Sequence, residues 1–255
     1  MTNPHVATLR NLARASLLLF LVGLWQLLWA GGLPDYVLGP VEILRHFLAA
    51  LGSAELYDHI GASLMRALPG FAIGTLLGIA LGLAAGIARG FDQMLSPVIF
   101  LTYPVPKIVM LPLFMLWFGI GDLSKILIIA LACFYPTFIN AYYGAKSTPT
   151  ILVWSGLNMG ADQWQIFGRI VVPSAAPLIF GGMRVSLALS FIVMFATEMI
   201  NARSGLGHLI RVAENSLRFD LMYVSLLSIA ILGYLGDRLL RWTRRRVLAW
   251  QGEAA

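Results

Sequence analysis

Charged side chains are scarce in this sequence. Only 12% of its 255 residues are Asp, Glu, Lys or Arg, and 59% are apolar, whereas a soluble domain carries about 25% charged residues. The composition therefore excludes an ordinary soluble enzyme and a disordered chain. A net charge of +6 and a pI of about 9.8 would suit nucleic acid in a soluble protein. In so apolar a chain they indicate basic loops on one side of a membrane, and no nucleic-acid partner.

Cysteine and histidine are equally sparse. Cys133 is the only cysteine, so no disulfide can form within the chain, and the four histidines are scattered singly. No group of them has the spacing of a zinc site, and we expect neither a metal nor a cofactor. The phosphate-binding pattern G-x-x-x-x-G-K-[ST] is also missing. The chain therefore cannot hydrolyse ATP by that route, and we expect no enzymatic activity.

Long apolar runs are abundant. A membrane-crossing helix needs about 20 mostly apolar residues, and lipid admits only helices or closed barrels. The runs are too long and uniform for barrel strands, so the sequence predicts an all-α, polytopic transmembrane bundle with six spans. The predicted spans are residues 15–33, 67–88, 94–121, 126–145, 177–197 and 221–236.

An even number of spans puts both termini on the same side of the membrane. Lys and Arg are more frequent at the ends that include the termini, and most acids lie at the opposite ends. Because basic residues mark cytoplasmic loops, we expect both termini and loop 147–176 in the cytoplasm. The first span follows Arg10 and Arg14 as a secretion signal would, but we expect it to be retained as an anchor.

Two sequence patterns predict unusual helix geometry inside the bundle. Glycine recurs every fourth residue from Gly70 to Gly90, which places a stripe on one helix face and favours close packing against another helix. The third span contains Pro104, Pro106 and Pro112, which interrupt a helix. Interrupted helices border the substrate path in many transporters, although a re-entrant or late-starting helix has the same pattern.

The fifth span contains Arg184 and ends near Glu198. An ionisable residue inside a membrane is a functional candidate by default. Arg184 is close enough to the cytoplasmic end to snorkel or to pair with helix ends. Glu198, near the outer end, is either a gate carboxylate or an ordinary interfacial acid. The candidates for a path across the membrane are Arg184, Glu198, Pro106 and Pro112.

Loop 147–176 is far longer than the roughly 2–8 residues that usually join two helices. Its apolar residues recur at helical spacing and predict two short helices that are separated at Gly160. Asp162 lies in the first turn of the second helix, where a negative charge is favourable. Pro173 and Pro177 are expected to end that helix and start the fifth span. Such a hairpin lies on lipid or inserts into a partner protein.

The same loop carries a family motif. Gly160, Ile170, Val172 and Pro173 resemble the G-x9-I-x-L-P pattern of the EAA loop in the permeases of binding-protein-dependent ABC importers. In one departure from that pattern, the glutamate and two alanines of the loop's name fall on Trp154-Ser155-Gly156. Further stretches are similar to the taurine, alkanesulfonate and nitrate branch of this family. They are residues 76–99, 110–147, 157–199 and 204–210, and the resemblance covers roughly residues 60–250.

The resemblance implies a mechanism as well as a type I importer permease fold. In this family two permease chains line one path, a periplasmic or lipid-anchored binding protein delivers the substrate, and two cytoplasmic ATPase subunits drive alternating access. The loop of each permease presents a coupling helix to an ATPase, with aromatic side chains as anchors. By resemblance, the ATPase-coupling residues are Leu157, Gly160, Ala161, Trp164, Phe167, Ile170 and Pro173.

The leading prediction is therefore a permease subunit of the bacterial inner membrane, forming a homodimer in lipid and importing a sulfonate-, taurine- or nitrate-like anion. Residues 1–59 would form a cytoplasmic tail, the first span and a periplasmic connector, and residues 60–250 the permease domain. A self-contained secondary transporter would need coupling-ion ligands in its spans, and a membrane enzyme would need convergent acids or a nucleophile. The outer segment after Gly205 either caps the path and contacts the binding protein or merely connects two spans.

Overall fold

The computed structural model describes residues 4–34 and 36–251, and within them the chain forms eleven α-helices and no strand. The all-α prediction is confirmed. The helices are α1 (Pro4–Ala30), α2 (Pro40–Ala50), α3 (Ala54–Ile87), α4 (Arg89–Thr102), α5 (Leu111–Phe118), α6 (Asp122–Lys146), α7 (Thr150–Asn158), α8 (Gln163–Ile166), α9 (Val172–Asn201), α10 (Leu206–Asn215) and α11 (Phe219–Val247).

Four continuous helical segments of the described chain are long and apolar enough to cross a membrane. They are α3, α6, the stretch Gln163–Asn201 that contains α8 and α9, and α11. Helix α4 and the segment Lys107–Phe118 are bent by 93° at the predicted proline-rich site, and this bent pair is either one broken span or a re-entrant loop. The first predicted span lies in α1, whose apolar part Ser16–Ala30 is about 22 Å long at 1.5 Å per residue, against about 30 Å of hydrocarbon.

Helices α3, α6 and α9 form the centre of the bundle. The glycine stripe of α3 faces α6, as predicted: a Cβ at Gly70, Gly74 or Gly78 would overlap atoms of α6. Without side chains at these positions, the two backbones approach closely and gain dispersion contacts. Gly90 is an exception, because it lies beyond the end of α3 with nothing within 4 Å of a Cβ.

The predicted break at Pro173 is wrong. Helix α8 continues through a π-helical turn, Phe167–Val171, into α9, and Pro177 lies inside α9. In this turn the Val172 N–H donates to the Phe167 carbonyl, five residues back, so the turn is wider than an α-helical one. Pro173 follows at the second position of α9, where a missing N–H is tolerated.

The remaining helices pack around this centre. Helix α10 packs against α3, α9 and α11 at the ends opposite loop 147–176, here called the outer ends. Helix α2 packs against α11. Helix α1 contacts α2, where the Gln26 side chain accepts a hydrogen bond from the Val41 N–H (3.2 Å). The predicted boundary between residues 59 and 60 falls inside α3, and the division into two regions stays a prediction.

Candidate functional site: coupling loop, broken helix and outer ion-pair cluster

The loop between α6 and α9 turns sharply at Gly160. Gly160 has φ +83°, its N–H donates to the Leu157 carbonyl, and the Ala161 N–H donates to the Gly156 carbonyl, both at 3.0 Å. These two bonds form a Schellman motif, which ends α7 and requires a left-handed residue. Any residue but glycine would cost about 1–2 kcal/mol there. The predicted separation of two helices at Gly160 is confirmed.

Asp162 starts the second helix of the loop. Its carboxylate accepts a hydrogen bond from the Gln165 N–H (2.8 Å), and the Gln165 side chain accepts one from the Asp162 N–H (3.2 Å). This reciprocal pair is a capping box. Asp162 therefore lies at the N-cap, one position before the first turn to which the sequence assigned it.

The seven predicted coupling residues differ in exposure. Trp164 is 81% exposed and Leu157 is 45% exposed, and Met159 beside the turn is 88% exposed. Phe167 and Ile170 instead pack against a core cluster with Ile166 and Val171. The two aromatic residues predicted as anchors therefore differ: Trp164 is exposed, and Phe167 packs the loop against the bundle. Their rings meet edge to face with centroids 6.4 Å apart. The other predicted members, Ala161 and Pro173, are partly buried.

One helical segment connects this loop to the opposite end of the protein. The stretch Gln163–Asn201 is 39 residues long, or about 58 Å at 1.5 Å per residue. It begins beside Trp164 and contains Glu198 near its far end. The loop and the far end of the bundle are thus connected by one continuous helical segment.

An ion pair joins α4 to the start of the coupling loop. The Asp92 carboxylate accepts from the Lys146 ammonium (2.7 Å), the Tyr142 hydroxyl (2.8 Å) and the Ser96 hydroxyl (2.7 Å). Lys146 is the last residue of α6. The sequence alone does not indicate this contact, because Asp92 and Lys146 are far apart in the chain and each is typical of an ordinary charge at a helix end.

The outer ends of the central helices meet at a buried ion-pair cluster. The Glu198 carboxylate is fully buried and pairs with the Arg66 guanidinium at 2.7 Å. Arg66, which is 4% exposed, also pairs with Asp122 of α6 (2.7 Å). The Arg66 guanidinium donates as well to the Ser204 carbonyl (2.8 Å) and hydroxyl (3.0 Å). Three helices and one loop are thus joined through a single guanidinium.

Glu198 also holds the first turn of α10. Its carboxylate accepts from the Gly207 N–H (3.0 Å) and from the Ser63 hydroxyl (2.8 Å), and that hydroxyl accepts from the Leu206 N–H (2.8 Å). A carboxylate at a helix N-terminus is favourable because the unpaired N–H groups there carry partial positive charge. Gly205 has φ +110°, and a Cβ there would overlap the Glu198 carboxylate. The close approach therefore requires glycine.

The candidate path residues lie in three different surroundings. Glu198 belongs to the buried cluster just described, whereas Arg184 is 60% exposed in its side chain and pairs with Asp237 of α11 (2.7 Å). Pro106 lies at the bend between α4 and α5 and lines a cavity there. Pro112 lies in the first turn of α5, outside that cavity. A role in the path stays a prediction for all four.

Two histidines stack on the outer surface next to the cluster. The rings of His59 and His208 are 5.9 Å apart, and His59 Nδ1 accepts from the Gly205 N–H (3.0 Å). Burial lowers the pKa of His208, and the nearby charge of Arg211 and the ring of His59 lower it further. His208 is therefore neutral at pH 7, which suits its packing beside a cation.

Comparison with known proteins identifies the family. Residues 62–249 match the family model described as the binding-protein-dependent transport system inner membrane component. The chain belongs to this family. The permease is 34% identical to the taurine transport system permease protein TauC of Escherichia coli, over 86% of this chain and 82% of that protein. It is also 34% identical to the riboflavin transport system permease protein RibX of Chloroflexus aurantiacus, over 94% and 95% of the two chains.

The permease has the same identity, 34%, to the putative aliphatic sulfonates transport permease protein SsuC of Escherichia coli, over 98% of this chain and 96% of that protein. Its fold is similar to a chain of a bacterial alginate ABC transporter in complex with an alginate pentasaccharide-bound periplasmic protein (TM-score 0.64, 16% identity, 96% of each chain). It is also similar to a chain of the inward-facing MetNI methionine ABC transporter (TM-score 0.58, 19% identity, 76% of this chain and 94% of that chain).

These matches confirm the leading prediction at the level of the family. The chain is the membrane-spanning subunit of an ABC importer, a multi-pass inner-membrane protein, and ATP hydrolysis belongs to a separate subunit. Proteins of this family work with an ABC ATPase and a substrate-binding protein. The family match therefore excludes the two alternative classes, a self-contained secondary transporter and a membrane enzyme.

Proposed function

We propose that this permease imports small organic sulfonates or closely related anions and that loop 147–176 transmits ATPase movement to the membrane domain, residues 60–250. Two relatives carry taurine or aliphatic sulfonates in their names, which supports the substrate class. Two copies of the chain line one path in lipid, each binding one ATPase subunit. Both termini lie in the cytoplasm, and the binding protein delivers the anion at the opposite face.

The exposed Trp164 at the start of the 39-residue helical segment is the observation that carries this proposal. A tryptophan 81% exposed beside other exposed apolar side chains marks a surface that a partner covers. Central aromatic anchors of this kind contribute about 2 kcal/mol or more to an interface. Leu157 and Met159 extend the same apolar surface, while Phe167 and Ile170 hold it on the bundle.

The first experiment is affinity purification of the tagged permease from solubilised membranes, with mass spectrometry of the proteins that come with it. We expect a stoichiometric ATPase subunit with the wild type and its loss with Trp164→Asp or Gly160→Arg. Trp242→Asp is the matched control, because Trp242 is also exposed (56%) but lies on α11 outside the loop. A permease that purifies alone and transports without ATP would overturn the coupling role.

The substrate is tested separately by uptake. Cells that express the permease, its ATPase and its binding protein should accumulate an alkanesulfonate or taurine, and Trp164→Asp should abolish this accumulation. Uptake of neither compound, with the ATPase still bound, would contradict the substrate class but not the coupling role.

The orientation is tested by cysteine labelling, since the single native thiol of Cys133 is buried. Met159→Cys and Glu214→Cys place accessible thiols in the coupling loop and at the end of α10. A membrane-impermeant maleimide added to intact cells should label Glu214→Cys only. Labelling of Met159→Cys before permeabilisation would reverse the proposed topology.

A further inference from the structure

A cavity lies at the bend between α4 and α5, and the coupling mechanism does not use it. Its volume is about 340 Å³, enough for a small organic molecule. One wall is the bend itself, residues 103–108, and the other walls are faces of α6 and α9. Both faces are largely apolar, with Leu189 and Ile192 on α9 and Ala132 on α6. The two tyrosines Tyr103 and Tyr135 add polar groups.

Among the residues that the structure describes, Lys107 brings the only charge to the lining of this cavity. Its ammonium donates to the carbonyls of Thr102 (2.7 Å), Tyr103 (3.1 Å) and Val105 (2.7 Å), and it lies 3.9 Å above the centre of the Tyr135 ring. The Thr102 carbonyl also accepts from the Val105 N–H (3.2 Å), and the three bonds together fix the ammonium at the cavity wall. Lys107 is half-buried, so its position is set by the bend rather than by solvent.

Within the described part of the chain, no carboxylate pairs with this cation. Arg66, Lys125, Lys146 and Arg184 are each paired with an aspartate or glutamate, whereas no described acidic oxygen lies within 4 Å of the Lys107 ammonium. A cation in a medium of low dielectric constant attracts a counter-charge strongly. The chain supplies carbonyl dipoles and an aromatic face, which orient the ammonium but leave its net charge in place.

The lining also defines what kind of anion fits. None of the lining residues in the described ranges is acidic, so they offer no counter-charge to the ammonium group of a zwitterion such as taurine. The apolar walls from α6 and α9 suit an alkyl or aryl body. The Tyr103 hydroxyl, which has no hydrogen-bond partner among the described residues, is free to donate to an anionic oxygen.

We propose that this cavity binds an organic anion with a short apolar body, its anionic group beside Lys107 and Tyr103 and its body between α6 and α9. The inference rests on the proposed import function, and it narrows the substrate class to anions without a second, positive charge. The anion contacts the cation through space and the Tyr103 hydroxyl through a hydrogen bond, since the three N–H bonds of Lys107 point to carbonyls.

The test uses the purified permease–ATPase complex in neutral detergent and measures its thermal unfolding midpoint against the concentration of butanesulfonate. Lys107→Gln removes the charge but keeps N–H donors for the carbonyls at the bend, and Lys107→Arg keeps the charge. Arg238→Gln is the matched control, because it removes an exposed cation from α11. Three comparison compounds are measured at equal ionic strength. Butanol has the alkyl body without the anionic group, taurine adds a positive charge, and sodium sulfate is an anion without an alkyl body.

We expect butanesulfonate to raise the midpoint and the three comparison compounds to leave it unchanged. Lys107→Gln should raise the half-saturating concentration at least tenfold, which corresponds to about 1.4 kcal/mol, and Lys107→Arg and Arg238→Gln should not. Equal responses of wild type and Lys107→Gln, or an equal response to sodium sulfate, would overturn the site. If sulfonate uptake by cells persists in either case, the proposed function stands and only this inference fails.

Discussion

The coupling loop and the outer ion-pair cluster lie at opposite ends of the same long helix, and they are built in opposite ways. At the loop, apolar side chains such as Trp164 are exposed and the backbone is shaped by local hydrogen bonds around Gly160. At the cluster, the charges of Arg66 and Glu198 are buried and paired. The comparison shows that the loop keeps apolar side chains exposed, whereas the cluster pairs its buried charges within the chain.

The largest effect on stability is expected at the cluster. Glu198→Leu removes the buried carboxylate that pairs with the Arg66 guanidinium, and breaking a buried pair typically costs about 3–5 kcal/mol. The double variant Arg66→Met/Glu198→Leu removes both charges and should recover part of that loss. Thermal unfolding of the purified permease measures both. A double variant as unstable as the sum of the single ones would show that the two residues do not act as a pair.

The glycine beside Glu198 should be the next most sensitive position. Gly205→Ala introduces a Cβ that overlaps the Glu198 carboxylate at a left-handed φ, and overpacking of this kind costs about 1–3 kcal/mol. Gly233→Ala is the control, because it lies in α11 with nothing within 4 Å of a Cβ and should be neutral or stabilising. Equal unfolding midpoints for the two variants would contradict the close approach of Glu198 to α10.

Gly160→Ala should weaken binding of the ATPase without lowering the stability of the bundle. The left-handed residue costs about 1–2 kcal/mol as alanine, but the turn is exposed, so the loop can change its conformation without unfolding the bundle. We expect weaker retention of the ATPase during purification and an unchanged unfolding midpoint. Gly168→Ala, in the same loop with ordinary φ and open space around a Cβ, should retain the ATPase fully. Loss with both variants would mean that the loop tolerates no added methyl group at all.

The ion pair between Asp92 and Lys146 should contribute far less to stability than the buried cluster. Lys146 is 43% exposed in its side chain and Asp92 is 27% exposed, and exposed pairs are worth about 0–1 kcal/mol. Asp92→Asn should lower the unfolding midpoint slightly, and the effect should shrink further at high salt. A change as large as that of Glu198→Leu would show that α4 depends on this pair far more than its exposure suggests.

His208 should make the stability of the folded permease depend slightly on pH. Its folded pKa lies below the ordinary value of 6.5, so the unfolded chain binds a proton more readily, and stability falls as the pH drops through 6.5. His208→Gln should make the unfolding midpoint less sensitive between pH 7 and pH 5, while His59, Arg211 and Glu198 beside it are unchanged. An unaltered pH profile would assign the effect to another group.

Much of the fold follows from local patterns. The glycine repeat of α3 predicted a close helix partner, which is α6, and Gly160 predicted the end of α7, because both depend on backbone geometry within a few residues. The continuation of α8 into α9 could not be predicted in the same way. Pro173 indicates a helix end by itself, and only the π-helical turn before it accommodates the ring.

The candidate site was predictable only in part for a related reason. The coupling loop is contiguous in sequence, so its motif and apolar spacing are visible in the printed chain. Arg66 lies far from Asp122 and Glu198 along the chain, and each alone is compatible with an ordinary charge at the end of a span. Lys107 likewise interrupts an apolar run, and the sequence does not show whether a carboxylate is close to it.

The sequence by itself determined the class of this protein: an all-α membrane bundle with a long loop that carries a family motif and no ATP-binding pattern. Composition and short-range spacing are sufficient for these, because hydrophobic length and turn chemistry act within one segment. The tertiary structure decided which charges are paired, which aromatic residue of the loop faces outward, and where a cation remains without a carboxylate. These properties depend on distances between segments that the chain brings together only when it folds.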